Sequence, residues 1–336
     1  LAAALAAGCA RQQPADTELA VYGITGRVQV ATANAREVRA LAAGLSNAIH
    51  AVQAALDPRS AESELARLNK VSGSAHLTLS RPVFRVLDLG KHYHEITGGR
   101  FDYTTGDLAQ LWASATPDDE LIATALDRCG MGYVELAENG SVIITKPGVR
   151  IQLGSLAAAY AVDVATVDAR DETKSSFVLS YGPATRREGR FPADETPHVA
   201  LAMEDHGVRK PLGLVSLAEH AALAQRSRAF SRAAGRLPVI DPRNGKPAEG
   251  AFYTAVIGPL AVRASAFAEA LLMDKPEESA ALLDAFSGYE AMVVEVDPPR
   301  VWMTPGFRAA FRPADTAMAI REWTAAPPAE PAVQAD

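Results

Sequence analysis

Apolar residues recur at helical spacing in the first third of the chain. Val38, Leu41, Leu45, Ile49, Val52 and Leu56 fall on one face, and Asn34 with Glu37 makes a capping-box-like start. Asp57-Pro58 ends that helix, and a short one follows through Leu65 and Leu68. Ser80 and Pro82 open the next, with Phe84, Leu87 and Ile96 inward and Gly98-Gly99 as its stop. Thr116-Pro117-Asp118-Asp119 starts another helix, which Gly130 ends. Two short alternating runs, 133–136 and 141–145, flank Glu138-Asn139-Gly140 and predict a β-hairpin. Residues 21–31 alternate as a strand weakened by Gly26, 150–153 form a short strand, and an Ala-rich helix starts at Ser155. A buried strand at 177–180 leads to Gly182, and further strands are expected at 198–203, 213–217, 253–258 and 291–296. Helices are expected at 264–273 and 276–286. These elements mix without a regular βα alternation, so the fold class is α+β and not a doubly wound sheet.

A chain of 336 residues is long enough for one large domain or two lobes. Its composition is 48% hydrophobic with mean hydropathy near zero, as in a globular protein. The formal charge of −7 leaves no nucleic-acid footprint. His92 and His94, two apart on a helix, point to different faces and make a poor metal pair. The N-terminus is different in kind. The Ala/Leu run Leu1 to Ala7 reads as the last part of a secretory segment, and Leu5-Ala6-Ala7-Gly8-Cys9 as a bacterial lipoprotein box. Lipidation of Cys9 would anchor the chain to the periplasmic face of a membrane and leave Cys129 without a disulfide partner. A buried helix start is the alternative reading of the same run. The expected divisions are a signal-peptide remnant at 1–9, a polar tether at 10–20, the body at 21–322 and a disordered tail at 323–336.

Candidate chemistry concentrates in Thr97-Gly98-Gly99-Arg100-Phe101-Asp102-Tyr103-Thr104-Thr105-Gly106-Asp107-Leu108. Here a helix delivers the chain to two glycines, and an aspartate and two threonines follow. Such a loop can bring main-chain amides and short polar side chains to a polar ligand, or can serve as a helix stop and turn. With its neighbours, the stretch resembles the FAD:protein FMN transferase (ApbE) family, in which a Thr-Gly-Gly-x-Phe-Asp-x-Thr segment precedes a Leu and Trp, as Leu111-Trp112 stand here. Tyr22-Gly23-Ile24-Thr25, Glu62-Ser63-Glu64-Leu65 with Asn69, Leu153-Gly154 through Asp163, and Asp241-Pro242-Arg243-Asn244-Gly245-Lys246-Pro247 match further family motifs in order. The resemblance implies a two-lobed fold with a flavin-nucleotide cleft between the lobes. It also implies Mg²⁺-dependent transfer of the FMN part of FAD onto a threonine of a target protein domain, with release of AMP. Carried over by position, the cofactor-binding residues are Gly99, Asp102, Thr104, Gly154, Asp163, Gly182 and Asp241.

Other positions depart from the family. Ala158 stands where it has a lysine, Gln152 where it has an aspartate, and Pro238 where it has a histidine, so no catalytic residue is assigned. The family's Ala-Thr-Ser-Gly loop reads Ala224-Gln225-Arg226-Ser227, and an aromatic expected near Asp57-Pro58-Arg59 is missing. Arg226, Arg228, Arg232 and Arg236 recur at helical spacing, either as phosphate contacts or as a solvated basic face. The family's metal-binding Asp and Thr, one helical turn apart, become Ser265 and Glu269 in reversed order. With Ser155 they form a candidate Mg²⁺ set; the alternative is a lone surface glutamate. Three readings follow: a divergent lipoprotein with weak or lost catalysis that keeps FAD or nucleotide binding, an active transferase, and an interaction or scaffold lipoprotein that binds no flavin. Loss of a single electrostatic contact of this kind lowers a rate about 10²–10³-fold. Several are altered together here, which favours the first reading.

Overall fold

The structure is a computed structural model and describes residues 15–32, 34–192, 197–205, 207–229 and 237–324. The chain starts with strands β1 (Ala15–Val21) and β2 (Ile24–Val30), then helices α1 (Ala35–Leu56) and α2 (Glu64–Lys70). Next come β3 (Leu77–Thr78), α3 (Arg81–Ile96), α4 (Gly106–Ser114), α5 (Asp119–Leu126), β4 (Val134–Leu136) and β5 (Ser141–Ile144). The long helix α6 (Ser155–Glu172) leads to β6 (Phe177–Tyr181), β7 (Ala184–Glu188), β8 (His198–Asp205), β9 (Val208–Ser216), β10 (Ala222–Ser227) and β11 (Tyr253–Gly258). Helices α7 (Ala261–Ala270) and α8 (Pro276–Ser279) follow, then β12 (Glu290–Val296), β13 (Pro299–Met303), α9 (Pro305–Ala310), β14 (Phe311–Pro313) and β15 (Ile320–Glu322).

One nine-stranded sheet, ordered β1-β2-β6-β7-β10-β11-β12-β13-β15, runs through the body. It is antiparallel except for β13–β15. Its central strands are buried on both faces with period two. Leu223, Tyr253, Ala255, Met292 and Val294 pack toward Leu201, Val215 and Phe311 of the small sheet β14-β9-β8. The alternate residues Ala224, Val256, Ala291 and Val293 pack with Phe267 of α7. Helix α6 lies between α1, α7 and the sheet. It is Ala-rich because it is buried on nearly all sides (Ala157, Ala158, Ala159, Ala161 and Ala165), where small side chains let its neighbours approach.

The α1 prediction is met at every apolar position, and Asn34 caps the helix by accepting from the Arg36 and Glu37 amides. Elsewhere the structure corrects the sequence. Residues 15–20, predicted as tether, form β1, paired with β2 from Ala15↔Val30 to Val21↔Ile24. Only Leu19 and Val21 of that strand are buried, so its polar outward residues mask it. Trp323 belongs to the body and not to the tail: it is buried, its amide donates to Met303 O and its Nε1 to Pro276 O. Residues 150–153 make only an isolated bridge, Thr105↔Arg150. The segment 276–286 is one short α-turn followed by 3₁₀ turns over Ala280–Phe286. Cys9, Arg232, Arg236 and residues 325–336 lie outside the described residues.

Candidate functional site

A cavity of about 320 Å³ opens between the loop after α3, the start of α6, the end of β10, residues 237–240 and Glu269 of α7. It adjoins a second, of about 390 Å³, at Gly106, Gln152, Gly154 and Leu237. Tyr22, Ile24, Leu56, Pro58 and Ala157 give the second compartment an apolar wall, with Arg59 and Arg150 at its margin.

The loop after α3 is built by its own sequence. Gly98 and Gly99 adopt φ of 58° and 78°, which lets the Gly99 amide donate back to His94 O at 2.9 Å. Thr97 Oγ1 donates to Tyr93 O and accepts from the Phe101 amide. Asp102 Oδ1 then accepts from the Thr104 amide at 2.7 Å and Thr104 Oγ1 at 2.5 Å, while Thr104 Oγ1 accepts from the Gly130 amide. Burial pushes the Asp102 carboxyl above the usual range, against the pull of these bonds. Asp102 and Thr105 line the cavity, whereas Thr104 is an internal brace and Gly99 packs beside His94.

The facing wall is the start of α6. Asn69 holds Ile151 through both its amide nitrogen and its amide oxygen, and the Gln152 amide donates to Tyr103 O. Gly106 must be glycine here, because a Cβ would stand 2.9 Å from Gln152 Cβ. Gly154 then turns the chain into α6 at φ 49° and ψ −121°, with nothing within 4 Å of a would-be Cβ. Helix start, Gly154 and Ser155 all face the cavity.

Glu269 is not a lone surface glutamate. Its Oε2 accepts from Arg226 Nη2 at 2.7 Å and from Ser155 Oγ at 3.4 Å. Arg226 lies on β10, so it does not share a helical face with Arg228, and antiparallel pairing with Thr254 sets its direction; Arg232 and Arg236 lie outside the described residues. Arg228, just past the strand, stacks its guanidinium over Phe252. Ser265 is buried away from the cavity, and its Oγ has no hydrogen-bond partner among the described residues. The chain's donors fit Mg²⁺ poorly, since the ion asks for hard oxygens in octahedral array. Glu269, the one carboxylate of the candidate set, is engaged by a guanidinium, and Ser265 is not among the residues lining the cavity.

The remaining predicted residues brace the fold. Asp163 is buried, with Arg186 Nη1 at 2.5 Å and the Ala261 and Val262 amides at 3.0 and 2.8 Å, and so caps α7. Gly182 makes the β6–β7 turn at φ 56°, against Ala158 and Ile24, so position 158 lies beneath that turn and not among the residues lining the cavity. Asp241 holds its own loop through the Arg243 amide and guanidinium, and Trp112 Nε1 donates to Gly245 O in the same loop. Pro238 does line the cavity but has no polar side chain to offer.

Asp274 ties the two loops together by accepting from Arg100 of one and from Arg243 Nη2 of the other. Burial opposes its ionisation, but the two guanidinium groups outweigh it and hold the carboxyl below the usual range. The stability it contributes is therefore present above the unfolded carboxylate pKa, about 4, and is lost as pH falls through the folded value. Asp274→Asn should lower the melting temperature at pH 7, by an amount that shrinks as the pH falls below about 4. A calorimetric difference that stays constant with pH would remove this role.

Comparison with known proteins agrees with this arrangement. A family model described as the ApbE family matches residues 22–293. An FAD:protein FMN transferase of Treponema pallidum is 27% identical over 82% of this chain and 83% of its own, and one of Klebsiella pneumoniae is 24% identical over 88% and 90%. Among solved structures, the ApbE protein of Thermotoga maritima superposes with a TM-score of 0.77 at 20% identity, covering 89% of this chain and 100% of that one. The flavin transferase ApbE of Vibrio cholerae reaches 0.75 at 17% identity, covering 88% and 99%. These structural likenesses carry the α+β fold, and the family match, which spans the loop after α3, the α6 start and the Glu269 helix together, makes this chain a member of the ApbE family.

Proposed function

We propose that this chain is a flavin-dinucleotide-binding member of the family whose transfer activity is weak or lost. The observation that carries the reading is the 2.7 Å bond from Arg226 to Glu269, which neutralises the carboxylate best placed to ligate a metal. Phosphoryl-type transfer needs a cation bridging the phosphates and donors on the developing charge. Pro238 supplies no donor, Gln152 carries no charge, and Ala158 sits under the Gly182 turn. Losses of about 10²–10³ per contact leave little acceleration even when they are not additive.

Binding asks for less. Ligand sites commonly span about 300–1,000 Å³, and the adjoining compartments of about 320 and 390 Å³ suit the two ends of a dinucleotide. The α6 start and Arg226 suit phosphates; Tyr22 with its aliphatic neighbours suits a planar ring. Lipid attachment at Cys9 to the periplasmic face of a membrane belongs to the same proposal, supported by Leu5-Ala6-Ala7-Gly8-Cys9.

The protein is mixed with FAD, Mg²⁺ and a threonine-bearing acceptor domain, and covalent flavin fluorescence is read on a denaturing gel. The expected outcome is no acceptor band, together with a melting temperature raised by FAD. A fluorescent acceptor band would make the chain an active transferase. Neither band nor thermal shift would favour an interaction protein that binds no flavin.

A further inference from the structure

We infer that Arg226 is the resident cation of this cleft: its guanidinium engages the diphosphate of a dinucleotide, so that binding requires no divalent metal. The inference rests on the proposal that the cleft takes a flavin dinucleotide. The position of Arg226 is built, since its backbone is paired with Thr254 in the sheet and its Nη2 is held by Glu269. Ser155 Oγ approaches the same carboxylate oxygen, which places the guanidinium beside the start of α6. A guanidinium carries five N–H donors in a planar fork that matches phosphate oxygens. Glu269 engages one of its terminal nitrogens, Nη2.

Competing cations are poorer candidates. Arg59 and Arg150, at the second compartment, have side chains 81% and 58% exposed and face Asp57 and Asp107. The Arg226 side chain is 26% exposed, so its field is less screened by water. A divalent ion brought to Glu269 would meet the guanidinium charge at contact distance. Asp102, the other carboxylate lining this cavity, is occupied as well, by the amide and hydroxyl of Thr104.

The test is a titration of the full chain with FAD and, separately, with riboflavin, each in EDTA and in millimolar Mg²⁺. FAD affinity should be the same in both buffers within about twofold. Arg226→Gln should weaken FAD binding about 10- to 100-fold, the range of one charge-assisted contact, and leave riboflavin binding unchanged because riboflavin has no phosphate. Arg226→Lys should recover part of the loss. Glu269→Gln should tighten FAD binding about threefold, since the neutral amide still accepts from the guanidinium while a competing negative charge is gone. Circular-dichroism melts confirm that each variant is folded. Binding of FAD that depends on Mg²⁺, or an Arg226→Gln loss shared equally by riboflavin, overturns the inference while dinucleotide binding stands. Absence of FAD binding in both buffers overturns the functional proposal itself.

Discussion

Replacing Asp163 by alanine is expected to destabilise the fold by about 3–5 kcal/mol, the range for removing one partner of a buried ion pair. Arg186 is itself buried and its Nε already lacks a partner among the described residues, so it would be left without its counter-ion. The Ala261 and Val262 amides, which open α7, would lose their acceptor at the same time. Asp163→Asn keeps an acceptor for part of this network and should lose roughly half as much. Urea denaturation of the two variants against the parent chain measures both numbers. Because Asp163 does not line either compartment, the folded variant should keep its FAD affinity. The opposite result, lost affinity with stability intact, would return Asp163 to the ligand-binding set.

Gly154→Ala should weaken FAD binding at least tenfold and lower stability by about 1–3 kcal/mol. The residue adopts φ 49° and ψ −121°, a conformation that L side chains rarely take. Nothing lies within 4 Å of the added Cβ, so the effect is conformational and not a clash. Relaxing the backbone at this point re-aims the first-turn amides of α6, which on the proposed reading would hold the phosphates. Titration with FAD and a thermal melt separate the two effects. An alanine variant that binds FAD like the parent would show that the start of α6 does not hold the phosphates.

Much of the fold was legible because its signals are local. The six apolar positions of α1, the Asn34 cap and the Glu138-Asn139-Gly140 turn each declare themselves within a few residues. Strands β7 and β10 did not. The five residues of β7 are all buried although three of them are charged, because Arg186 meets Asp163 and Arg187 donates to Leu217 O. A run such as Ala-Thr-Arg-Arg-Glu reads as surface until those partners are in place. The candidate site was legible in part for the same reason. Its motifs identified Asp102, Gly154, Ser155 and Glu269, which the structure gathers around one cavity. The same motifs also named Thr104, Asp163, Gly182 and Asp241, which the structure assigns to bracing. Residue type and spacing do not say which of two adjacent threonines faces the cavity: Thr105 lines it, while Thr104 turns inward to Asp102 and the Gly130 amide.

The amino-acid sequence by itself determined the α+β class, most of the helices, and the glycine turns at Gly98-Gly99 and Gly154. Periodicity and turn chemistry act over a few residues, so they are written in the order of the chain. That Arg226 leaves the edge of β10 to meet Glu269 on α7, 43 residues away, was decided only by the tertiary structure. The contact exists because a helix packs across a strand, and two oppositely charged residues so far apart carry no local mark of their pairing.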